Sequence, residues 1–133
     1  MGSSIAQIET VVTAENQSWL GSAHGTNECE SCQLDASAFL ATFPDGVVPS
    51  GVVLGKITAT GLYKPYADGA ADGSEVAAGH LFTTTDLKGT TAPTAQDVSA
   101  ALFWHGQVIE AKLPVGHGLN AAAKTDLKHI HYV

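Results

Sequence analysis

The chain has 133 residues, 44% of them hydrophobic and only 14% charged, which suits one domain with one core and leaves little room for a second. Its basic residues are six lysines with no arginine, and its net charge is -7. Lacking both the bidentate guanidinium fork and a positive field, it is a poor candidate for nucleic-acid binding.

The charge is uneven. Residues 1–45 carry Glu9, Glu15, Glu28, Glu30, Asp35 and Asp45 without a lysine, for a charge of -6, whereas residues 46–133 set seven acids against all six lysines, for -1. The segment 1–45 therefore reads as an acidic arm, either solvated or finding its order on a complementary surface. Within it, Ile5, Ile8 and Val12 recur at near-helical spacing, while Thr10, Val11 and Thr13 favour extended backbone, so residues 5–20 receive no assignment. Gly21 to Cys32 is a polar connection ending in Cys-Glu-Ser-Cys, and Leu34–Phe43 suits a short strand or a short helix. Pro44-Asp45-Gly46 is a turn, because proline fixes φ and glycine permits a positive one.

From Val47 the pattern is β-rich. Val47-Val48, Gly51–Thr58 and Gly61–Tyr66 are extended elements, and the two Asp-Gly pairs of Asp68–Ser74 mark tight turns. Glu75–Phe82 and Asp97–Phe103 read as strands, separated by a loop rich in threonine, glycine and proline. Trp104–Gln107 is expected to turn into a strand over Val108–Leu113. Leu119–Leu127 is the helix candidate, with Asn120 as its cap and three alanines behind it, and His129–Val133 closes the chain as a strand. The expected fold class is mostly β with one short helix (α+β), with residues 1–45 as an N-terminal arm and 46–133 as the β-rich domain.

Few residues suggest chemistry. Cys29-Glu30-Ser31-Cys32 has the spacing of a redox dithiol or half a zinc site, but no βαβ context and no second ligand pair accompany it. The neighbouring Glu28 and Glu30 would raise a thiol pKa, the opposite of what a reactive thiolate needs. Of the six histidines, only His129 and His131 lie close enough to share a strand face, and a third ligand is missing nearby. His117, between Gly116 and Gly118, reads as a loop residue, and Trp104 as core or core rim. Neither a nucleophile elbow nor a phosphate loop or dinucleotide fingerprint occurs, so the expectation is no enzyme, no cofactor and no metal. No apolar run approaches the roughly 20 residues of a membrane helix. No signal-peptide pattern opens the chain either, so folding in a cytoplasm with reduced cysteines is expected. Trp19, set in a polar stretch of the acidic segment, either tucks back onto its own domain or anchors the arm in a partner's pocket.

The order of motifs beyond residue 47 resembles the lambda-type head decoration proteins of tailed bacteriophages. Tyr66-Ala67-Asp68-Gly69-Ala70-Ala71-Asp72-Gly73 followed by Val76–Leu81 is similar to that family's paired turn leading into a small-residue strand. Val52–Gly55, Leu62–Pro65, Val98–Phe103, Gly106–Val108 and the closing helix and strand keep the same order, over roughly two-thirds of the chain. The resemblance implies a β-clip-like domain and a homotrimer. It also implies binding to the major capsid protein at three-fold positions on the outside of the expanded head, with no nucleic acid and no membrane as partner. The departures are the long N-terminal region, the C-x-x-C and the loop Thr83–Thr94. Trp19, Leu20, His24, Leu34 and Phe39 are the expected capsid contacts. A host-surface-binding β module, and a small metal or redox protein using the C-x-x-C, are the rival readings.

Overall fold

Successive residues of Val52-Val53-Leu54 enter two different packing clusters, and this alternation of extended backbone organises the whole domain. The computed structural model describes residues 16–87 and 98–133. In chain order its strands are β1 (Glu30–Leu34), β2 (Val47–Val48), β3 (Val53–Lys56), β4 (Tyr63–Pro65), β5 (Ala77–Leu81), β6 (Thr85–Asp86), β7 (Val98–Phe103), β8 (Gly106–Val108) and β9 (Ile130–Tyr132). Two short α-helices, α1 (Ala36–Phe39) and α2 (Ala121–Asp126), and a 3-10 turn over Glu110–Lys112 complete it.

Strands β1, β4, β3, β5 and β7 close into a barrel in that order. β1 seals the ring by pairing antiparallel with β7, from Glu30 opposite Leu102 to Leu34 opposite Val98, and by a parallel contact of Leu34 with Tyr63 of β4. The first cluster draws Cys32 and Leu34 from β1, Leu54 from β3, Leu81 from β5 and Leu102 from β7, which makes it the barrel interior. Ala36 and Phe39 of α1, with Val48 and Leu87, pack into the same cluster. The second cluster lies on the outer face, where Val53, Ala77 and Phe103 meet Trp19, Val108, Ala123, Leu127 and Ile130. Here α2 and the parallel pair β8–β9 cover the wall of the barrel.

Local chemistry places these pieces. Asn120 Oδ1 accepts the Ala123 N–H at 2.8 Å and so caps α2, as the sequence suggests. Asp126, at the other end of that helix, accepts the Ala77 N–H at 2.9 Å and pins α2 to β5. In the Asp-Gly turns, Asp72 accepts from both the hydroxyl and the N–H of Ser74, at 2.6 and 3.0 Å. These bonds, with Lys64 at 3.1 Å, hold its carboxyl well below the usual range. Gly73 needs its positive φ of 110°, and a Cβ there would collide with Thr58.

Four expectations are corrected. The described residues carry two α-helices, not one, because Ala36 and Phe39 turn into the barrel interior directly after β1. Val108–Leu113 is not one strand: pairing with β9 begins earlier, at Gly106, and ends at Val108, after which Glu110–Lys112 coils. The polar connection Gly21–Cys32 ends at Glu30, where β1 starts. Within the loop after β5, β6 pairs with β2, Val47 opposite Asp86 and Val48 opposite Thr85. The described residues of the expected arm, 16–45, supply Trp19, Cys32, Leu34, Ala36 and Phe39 to the two clusters. Residues 1–15 of the arm, and residues 88–94 of the loop Thr83–Thr94, lie outside the described residues.

A buried polar junction ties three distant segments. His80 is fully buried; its Nδ1 lies 2.7 Å from the Gly51 carbonyl and its Nε2 2.7 Å from the Tyr132 hydroxyl. A carbonyl can only accept, so Nδ1 carries the proton and Nε2 accepts from Tyr132. Trp19 stacks on this imidazole at 5.5 Å and meets Phe103 edge-on at 5.4 Å, while its Nε1–H donates to Ser50 Oγ at 3.0 Å. Burial pushes the His80 pKa down to about 4, with His117 adding to the effect.

Because the unfolded imidazole titrates near pH 6.5, protons bind the unfolded chain first as the pH falls. Stability is therefore expected to hold above pH 6.5 and to drop by roughly 3 kcal/mol between there and pH 4. Urea unfolding across that range should show the slope, and His80→Gln should flatten it. Trp19→Ala is expected to cost roughly 3–5 kcal/mol in the same measurement, the range for emptying a buried indole site.

Candidate functional site

The five expected contact residues part company in the structure. Trp19, Leu34 and Phe39 are buried in the chain's own core, so their side chains support a surface without forming one. Leu20 is half-buried, bridging to Val108 and packing against the outer cluster. His24 is exposed, in the loop between Leu20 and β1. Large apolar residues in an acidic, polar segment suit a core as well as an interface, and for Trp19 the tucked-back alternative is the one realised.

The cysteines serve different clusters. Cys32 lies in the barrel interior, while Cys29 packs at the edge of the outer cluster, with its thiol 3.6 Å from the Thr26 carbonyl. Both are free thiols. Burial raises the pKa of each, and with Cys29 beside it Cys32 is pushed up to about 11. Such thiols are protonated at neutral pH and poorly suited to nucleophilic or ligating work. His129 and His131 also separate: His129 lies against Trp104, with ring centroids 5.8 Å apart, and His131 points outward from β9. Among the described residues, no group of three or more His, Cys, Asp or Glu is arranged to hold a metal ion, and no helix is long and apolar enough to cross a membrane.

What the surface offers is shape and apolar area. An open groove of about 840 Å³ runs between the segment Thr42–Pro49 and Pro114-Val115, floored by Phe43, Pro44, Val47 and Pro49. Val115 at its rim is 94% exposed. A bare valine beside prolines and a phenylalanine is costly in water and favourable against another protein. Sequence reading missed this groove because Phe43 and Pro114 are 71 positions apart in the chain, and each in isolation is an ordinary loop residue.

The family described as bacteriophage lambda head decoration protein D matches residues 33–130. No curated protein and no solved structure matches the chain. The matched stretch begins inside β1 and ends at the first residue of β9, so it takes in the other four barrel strands, both helices and the groove. Spanning well over half of the chain, the match shows that this protein belongs to the lambda head decoration protein D family.

Proposed function

We propose that the chain is a non-enzymatic cement for the outside of the mature phage head. In this reading three copies form a trimer at each local three-fold position, contact the major capsid protein and oppose the outward pressure of packaged DNA. Family membership over residues 33–130 carries the proposal. The low charge and the apolar groove support it, since a cement works through area and complementarity and needs no reacting group. The β-clip-like description of the barrel, synthesis in the host cytoplasm and final placement on the virion surface belong to the same reading.

The residues before Asn16, with Leu20 and His24, form the shell contact in this proposal. Trp19, Leu34 and Phe39 act beneath it, holding the domain together from within its core. Three such segments on one trimer need only bind weakly, because the first to dock raises the effective concentration of the others.

Purified protein mixed with expanded heads lacking their own decoration protein should co-sediment to saturation and raise the temperature at which the heads release DNA. Failure to bind expanded heads of its own phage would refute the proposal. A variant beginning at residue 16 should still unfold cooperatively and bind heads roughly tenfold or more weakly. Light scattering of the bound-competent protein should report the mass of three chains.

A further inference from the structure

Two imidazoles that lie 81 positions apart in sequence meet at the surface beside the outer cluster, His24 Nε2 standing 3.2 Å from His105 Nε2. His24 belongs to the loop before β1, and His105 to the turn between β7 and β8. The loop is clamped onto the turn from both ends. Gly21 N–H donates to the Gln107 carbonyl at 2.9 Å, and Trp104 Nε1–H donates to the Glu28 carbonyl at 2.8 Å. Between them Gly25, at a φ of 85°, lies so close that a Cβ would overlap the His105 carbonyl oxygen. The loop and the turn are therefore held together by contacts other than the imidazole pair itself.

His105 is fixed further. Trp104 stacks on its ring at 5.2 Å, and Glu28 Oε1 lies 3.2 Å from its Nδ1. When Nδ1 donates to that carboxylate, Nε2 carries a lone pair directed at His24, whose ring stands at 72° to it. A carboxylate behind a histidine is the arrangement that orients histidine ligands and raises their basicity in metal sites.

We propose that His24 and His105 are the two protein ligands of a site for a late first-row divalent ion of the zinc, nickel or copper class. Glu28 acts as the positioning residue, and water completes the coordination. An ion at the usual nitrogen distance of about 2.0–2.1 Å from both Nε2 atoms would see them at an angle of about 100°, between octahedral and tetrahedral values. In the metal-free pair His24 donates its Nε2 proton to His105; on binding it carries that proton on Nδ1, so no proton is lost overall. Two imidazoles without an oxygen cage select against magnesium and calcium. An ion held here would cross-link the loop before β1 to the β7–β8 turn.

Calorimetric titration of the full-length protein with zinc chloride should show one ion per chain, and magnesium chloride should give no binding. His24→Ala changes an exposed side chain and should abolish zinc binding while leaving the metal-free melting temperature in place. Glu28→Gln should weaken zinc binding roughly tenfold. A double His129→Ala, His131→Ala variant should bind zinc like the parent. Zinc binding that survives His24→Ala, or a parent protein that shows neither zinc heat nor a zinc-dependent rise in melting temperature, overturns the assignment.

Discussion

The domain turns on a neutral imidazole in a place that a charged one could not occupy. His80 holds the Gly51 carbonyl with one nitrogen and the Tyr132 hydroxyl with the other, while the Trp19 indole covers its face. Three parts of the chain converge there: the segment before β1, the entry to β3 and the closing strand β9. A buried polar group costs free energy when unpartnered, and here both nitrogens are partnered. The junction therefore selects one arrangement of these segments against the slipped alternatives that an all-apolar contact would tolerate. Ser50 extends it by accepting from Trp19 and donating to the Phe82 carbonyl at 2.7 Å.

Family membership and structure have different starting points along the chain. The family match begins at residue 33, within β1, yet the structure is already committed by Trp19. Most of β1, the strand that seals the barrel, precedes the matched stretch. The outer cluster likewise takes its largest side chain from outside it. In this chain a segment that reads as an appendage is, from Trp19 to Cys32, a structural member, and Glu28 and Glu30 fall on its exposed positions.

Much of the fold is legible in the residues where local and tertiary demands coincide. Asn120 caps a helix because its side chain can reach Ala123, whatever packs above. Val52-Val53-Leu54, which leads into β3, buries side chains on both faces and reads as an unbroken apolar run for that reason. The misreadings arise where tertiary partners decide. Gly106–Val108 becomes a strand only because Ile130–Tyr132 lies beside it. Thr85-Asp86 pairs with Val47-Val48 over two residues, too few to carry any period. Phe39 and Leu34 have the composition of either a core or an interface, and only burial separates these outcomes. The His24–His105 pair has no local signal at all, since it depends on a loop folding back across the barrel wall.

The attachment of residues 19–21 has a mechanical consequence. The Trp19 carbonyl accepts the Ile109 N–H at 2.6 Å, and two residues later the Gly21 N–H binds Gln107, just after the buried indole. Tension applied at Asn16 would thus meet the domain at a plug in the core backed by backbone bonds. The load would spread through Trp19 into β8 and the junction at His80 before it reached the seam between β1 and β7. A tether joined this way yields by extracting a tryptophan, not by unzipping a strand from its end, and so resists sustained pull better than its short length would suggest.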